Sequence, residues 1–191
     1  MRKNDLQLGF VPTMGALGEG HISLMKIAQK ASDGVSVSNF VNPTQFENLK
    51  DLQDYPNTLS TDLEQLRRAG VMVVFLPVAA EIYAEDAETT VETTRLAHRL
   101  LGAVRPGHFG GVTTVVSKLF NIVQPYLAVF GEKDYQQLHV IRRMVRDLHI
   151  PVKIMGAPVF RESDGLAMSS RNRRLGAADC TVACVLCRSL D

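Results

Sequence analysis

The chain has 191 residues, room for one good core or for one domain plus a fragment. Hydrophobic residues make up 46% and charged residues 21%, which excludes a disordered chain. With Lys+Arg 21 against Asp+Glu 20 the net charge is +1, so no global field draws the chain to nucleic acid or an anionic membrane.

Residues 6–12 read as a buried strand, and Met14, Gly15, Ala16, Leu17, Gly18, Glu19 and Gly20 as a glycine-rich turn. Helical spacing then runs over 21–31. A second strand spans 35–41 and ends at Asn42-Pro43, since proline lacks an amide hydrogen. Thr61 with Glu64 predicts a capping box opening a helix that closes at Gly70. An apolar strand follows at 71–76. Such uninterrupted runs suit a parallel sheet covered on both faces.

Residues 89–94 are read as a strand and 95–101 as a helix, before the turn Arg105-Pro106-Gly107. The spacing predicts helix over 111–123, strand over 127–130, helix over 134–148 capped by Asp134, and strand over 152–155. No repeat, low-complexity tract or Pro/Ser-rich linker interrupts this order. Alternating strands and helices predict a doubly wound α/β fold with ligands at the carboxyl ends of its strands.

The cysteines, Cys180, Cys184 and Cys187, lie near the carboxyl end, and their odd number argues against a disulfide framework. Cys184 and Cys187 form C-x-x-C without the preceding strand or second pair of a redox or zinc site, so helix-face packing is the expectation. No signal-peptide pattern opens the chain, and no apolar run reaches ~20 residues. A soluble, cytoplasmic protein is expected.

Five places suit chemistry. Gly20-His21 opens a helix, where free amides and the dipole favour phosphate; the histidine also reads as a locally bonded residue. Gly131, Glu132, Lys133 and Asp134 lie between strand and helix; Lys133 suits a phosphate, while Asp134 suits ribose hydroxyls or a helix cap. Gln137 has the same double reading, as a ligand contact or part of a capping box. Met168, Ser169, Ser170 and Arg171 offer hydroxyls and a guanidinium to a polyphosphate, or form a solvated loop. Asn42 to Phe46 places an amide side chain just beyond a strand end, where substrates sit in such sheets, or forms an ordinary turn; Arg105 to Phe109 holds two candidate anion contacts, with a surface loop the favoured reading.

Taken in order, FVPTMGAL-x-EGH at 10–21, FVNPTQF at 40–46, RPGHF at 105–109, FGEKDYQQL at 130–138 and DGLAMSSRN at 164–172 resemble the pantothenate synthetase (pantoate-beta-alanine ligase) family. The likeness runs over about 9–186. The resemblance implies an ATP-dependent, AMP-forming ligase that converts pantoate to pantoyl adenylate and then joins it to β-alanine, with Mg²⁺. It implies a Rossmann-like domain over 1–175 binding ATP and pantoate, with 176–191 beginning a second domain that serves as lid. It also implies a cytoplasmic homodimer.

Carried onto matching positions, Met14 through His21 form the ATP loop, with His21 as proton donor. By the same resemblance Gly131, Glu132, Lys133, Asp134, Phe160, Met168, Ser169, Ser170 and Arg171 would bind ATP, and Gln45 and Gln137 would bind pantoate, with Gln45 also near β-alanine. The family pattern is departed from at Gly18, where a first loop histidine is usual, and at Asn39, where an apolar residue is usual. A buried, unpaired Asn39 amide would cost about 1–3 kcal/mol. Leu101, Tyr126-Leu127 and Phe160 also depart. Loss of the loop histidine and an incomplete lid raise an alternative, a remnant that binds nucleotide or dimerises without turnover. A nucleotidyltransferase sharing the histidine loop is a third reading, disfavoured by FVNPTQF and GEKDYQQL.

Overall fold

The computed structural model describes residues 6–46, 49–169, 171–172, 175–176, 179, 182–185 and 189. Among the described residues five strands form one sheet: β1 (Leu8–Thr13), β2 (Gly34–Asn39), β3 (Val73–Phe75), β4 (Leu127–Gly131) and β5 (Lys153–Ala157). They lie in the order β3-β2-β1-β4-β5, every pairing parallel. The helices are α1 (Glu19–Lys30), α2 (Leu49–Gln53), α3 (Leu59–Arg68), α4 (Ala79–Ile82), α5 (Leu101–Val104), α6 (His108–Val123) and α7 (Tyr135–Asp147).

Strand alternation sorts the core onto two faces. Phe10, Ala128 and Phe130 pack with Val112, Val116 and Phe120 of α6 and Leu138 and Ile141 of α7. Their sequence neighbours Val11, Leu127 and Val129 pack with Met25 and Ala28 of α1 and Leu66 of α3. Each central strand therefore buries both faces, which is why it carries no charged residue. The fold is the expected doubly wound α/β sheet. Strand order reverses at β1, so the β1 and β4 carboxyl ends open onto one crevice.

Several local expectations give way. The 71–76 strand is only β3, at the sheet edge; Val73 is 51% exposed because it has no second neighbouring strand. Residues 89–94 form no strand. Val91 meets α6, where its amide donates to Thr114 Oγ1 at 3.0 Å and its carbonyl accepts from the Thr113 hydroxyl. These side-chain groups satisfy backbone that a ladder would otherwise satisfy. The helix expected at 95–101 divides into a 3-10 turn, Leu96–His98, and α5, because Leu100 adopts φ +47, outside the helical region.

Two helix starts also move. α3 begins at Leu59, and the Thr58 hydroxyl binds Asp62 within the fold, so Thr61 and Glu64 form no capping box. α6 begins at His108, after Gly107 at φ +79, which places the RPGHF histidine on the helix. Cys184 is buried at 3% exposure. Cys180 and Cys187 lie outside the described residues. No helix among the described residues is long and apolar enough to cross a membrane.

Candidate active site

The loop after β1 turns through two left-handed residues, Gly15 at φ +80 and Ala16 at φ +50. Glycine meets the first requirement; a Cβ at position 15 would lie 2.6 Å from the Asn39 amide oxygen. Asn39, which stands where an apolar residue is usual, is partly buried and donates from Nδ2 to Asp62 Oδ2 at 3.3 Å. Its desolvation is thus offset by a partner from α3.

α1 starts at Glu19 with Gly18 as N-cap, so His21 sits in the first turn. The Gly18 amide donates to His21 Nδ1 at 3.2 Å. Since a backbone N–H must donate, Nδ1 accepts, and the neutral ring carries its proton on Nε2. Burial holds the His21 pKa below the usual 6.5, helped by the Lys133 charge and opposed by Asp62 and Asp134. The Gly20 amide points to Met168 Sδ at 3.3 Å, a weak acceptor at a helix end suited to anions.

A cavity of about 560 Å³ lies over this helix end. Met14, Ala16, Leu17, Gly18, Glu19, Gly20 and His21 line one side, and Gly131, Lys133, Asp134, Gln137, Phe160, Met168, Ser169 and Arg171 the other. Gly15 and Glu132 line neither this cavity nor the one beside it. Gly15 faces Asn39, and Glu132 lies beside Arg142, both of them against the space over Gly156. Ser170 lies outside the described residues. Asp134 occupies the N-cap position of α7 but makes no side-chain capping bond, so its carboxylate is available to the cavity. The Phe160 carbonyl accepts the Met168 amide at 3.0 Å, pinning one loop on the other.

A second cavity, of about 460 Å³, adjoins it and is lined by Gln45, Phe46, Leu101, Arg105, His108, Phe109 and Gln136. Met14, Lys133, Asp134, Gln137 and Arg171 line both cavities. Gln45 is set by Asn42, which is 1% exposed and donates to Gln45 Oε1 at 3.2 Å and to the Gly111 carbonyl at 3.1 Å. Tyr83 donates to Asn42 Oδ1 at 2.7 Å. His108 Nδ1 lies 3.0 Å from the Gln45 carbonyl, so the FVNPTQF and RPGHF segments meet.

Sequence reasoning passed over Tyr55, Glu162 and Asn172, which also line the first cavity, and Asp62 behind the loop. Burial pushes the Tyr55 phenol pKa up, and nearby Arg171 opposes that shift. Tyr55 stands in an irregular segment without periodicity, where no sequence signal marks it.

A parallel sheet with a glycine loop, a helix end and a lysine gathered at its switch point defines a doubly wound α/β protein with a crevice whose lining suits an anion. The Pantoate-beta-alanine ligase family model matches residues 1–191. The chain is 53% identical over 184 residues to a pantothenate synthetase of Thermoanaerobacter sp. strain X514, covering 96% of this chain and 65% of the relative. A pantothenate synthetase of Heliobacterium modesticaldum is 55% identical over 183 residues, with 96% and 65% covered. The crystal structure of pantothenate synthetase from Thermus thermophilus superposes with a TM-score of 0.93 at 50% identity, covering 96% of this chain and 67% of that one. Pantoate-beta-alanine ligase from Francisella tularensis, complexed with beta-gamma ATP and beta-alanine, gives 0.90 at 45% identity, with 96% and 70% covered. This chain belongs to the pantoate-beta-alanine ligase family. It spans 65% of the length of the two bacterial relatives.

Proposed function

We propose that this chain binds ATP and pantoate and forms pantoyl adenylate, which β-alanine then converts to pantothenate. The observation that carries this reading is the junction of the two cavities, where Met14, Lys133, Asp134, Gln137 and Arg171 face both. ATP occupies the larger cavity with its phosphates over the α1 amides, and pantoate the smaller one beside Gln45 and Gln137. The amides of Gln45 and Gln137 offer both donors and acceptors, which suits a hydroxy acid.

A pantoate carboxylate oxygen attacks the α-phosphorus, and the bond to the bridging oxygen breaks to release pyrophosphate. The β-alanine amine then attacks the acyl carbon, loses a proton and expels AMP. Lys133 and Arg171 meet the charge that builds at the junction, and His21 donates a hydrogen bond from neutral Nε2 toward the phosphates. This role departs from the proton donor implied by the resemblance, because the ring is already neutral and holds its Nδ1 against Gly18.

Mg²⁺ fits the donor set as an ion carried by the nucleotide. No cluster of three metal-ligating side chains occurs among the described residues, whereas Glu19, Asp134 and Glu162 stand singly around the larger cavity. There the ion would neutralise phosphate charge. A cytoplasmic homodimer completes the reading, supported by the family resemblance; light scattering checks the assembly.

A second reading, nucleotide binding without turnover, is favoured by Gly18, which lines the cavity without a side chain and spends its amide on His21 Nδ1. ATP–pyrophosphate exchange driven by pantoate separates the two. Pantoate-dependent exchange supports adenylation; ATP binding without exchange, in this chain and in Gly18→His alike, supports the second.

A further inference from the structure

Asp62 is a carboxylate on α3 at 1% exposure, and it takes no part in either cavity. Its two oxygens receive the backbone of the loop across a long sequence separation. The Leu17 amide donates to Oδ1 at 2.9 Å and the Ala16 amide to Oδ2 at 3.0 Å. The Thr58 hydroxyl and the Asn39 side chain add bonds to Oδ2 at 3.1 and 3.3 Å. Among the described residues no cation forms an ion pair with it. Donors alone compensate the buried charge.

The receiving end of this arrangement is the unfavourable part of the loop. Ala16 has φ +50, a conformation that a residue with a Cβ keeps only when its surroundings hold it there. We propose that Asp62 is a positioning residue for the phosphate loop: it holds Ala16 and Leu17 by their amides, and so aims Met14 and the α1 amino end into the crevice. Asn39, a departure of this chain, strengthens the grip twice. It donates to Asp62 and lies under Gly15, where there is no room for a side chain.

The chemistry calls for an acid and not its amide. Two backbone donors converge on two different oxygens, so both atoms must accept. An asparagine offers one acceptor oxygen, and in either orientation its NH₂ group faces a backbone N–H. Asp62→Asn keeps the volume and loses the fit.

The proposal rests on the nucleotide reading of the loop, and two measurements keep them apart. Amide hydrogen exchange is followed in the full chain and in Asp62→Asn, alongside ATP affinity by calorimetry. Asp62→Asn is expected to speed exchange at Ala16 and Leu17 by about tenfold or more, the worth of a hydrogen bond to a charged group, and to weaken ATP by a similar factor. Protection in the β1 and β4 core should stay unchanged. Unchanged protection at both amides overturns the proposal, as does an even loss across the sheet, which would make Asp62 a fold-wide support only. Asp62→Ala, which removes both acceptors, must reproduce the loop effect. If the unaltered chain binds no ATP the nucleotide reading fails, while exchange at Ala16 and Leu17 still decides whether Asp62 sets the loop.

Discussion

The Gly18 amide donates to Nδ1 of His21 at 3.2 Å, which fixes the imidazole proton on Nε2. Protonation would place a second N–H against that amide. Burial and Lys133 already lower the pKa from 6.5. The folded value is depressed, so the unfolded chain takes up the proton first. The contribution to stability is full above the unfolded value and declines as pH falls through the folded one. An NMR titration should give a His21 midpoint below 6.5, and the stability of His21→Gln should fall less on acidification than that of the unaltered chain. A midpoint above 6.5 would contradict an accepting Nδ1.

Gly18 has extended backbone, φ −147 and ψ 178, and a Cβ there meets only Met168 Sδ, at 3.7 Å. The backbone there therefore accepts a side chain without strain at Cβ. Gly18→His should raise pantoate-driven ATP–pyrophosphate exchange by ~100 to 1,000-fold, the typical effect of one transition-state donor. A stable variant with no gain would show that Gly18 is not what limits adenylation.

Lys133 is exposed, in the turn between β4 and α7, and lines both cavities. Lys133→Ala should change stability by no more than about 0.5 kcal/mol, as at other surface sites. Exchange should nonetheless drop ~100-fold or more, because charge at the junction loses its counterpart. Urea unfolding and single-turnover assays measure the two effects separately.

A Cβ at Gly111 would lie 2.6 Å from the Thr44 carbonyl oxygen and 3.0 Å from the Gln45 amide nitrogen. Both neighbours are backbone, so Gly111→Ala must push the 43–45 turn outward, at about 1–3 kcal/mol. The displaced Gln45 should raise the KM for pantoate more than that for ATP. Equal effects on both would place the damage in the fold at large.

Much of this architecture is legible in the chain because its cause is local. The apolar runs at 6–12, 35–41 and 127–130 name buried strands, since a parallel strand covered on both faces has no polar side to show. The edge strand was overestimated for the same reason: 71–76 is as apolar as a central strand, and only its position leaves Val73 exposed. Motif order likewise marked Gly18, His21, Lys133, Met168 and Arg171, and the fold gathers them around one cavity.

The residues passed over depend on distance in space. Asp62 reads as an ordinary acid in a polar helix turn, and Asn39 as a misplaced amide, until α3 is laid beside β1 and each becomes the other's partner. Threonines on α6 answer the backbone at Val91, and no pattern in 89–94 announces it. From sequence alone came the family, the alternation of elements and the loops that carry charge, all properties of short windows and their order. Which polar groups are paired, which way His21 holds its proton and what grips the loop after β1 were decided by tertiary structure, because a buried donor takes whatever acceptor the fold brings within hydrogen-bond reach.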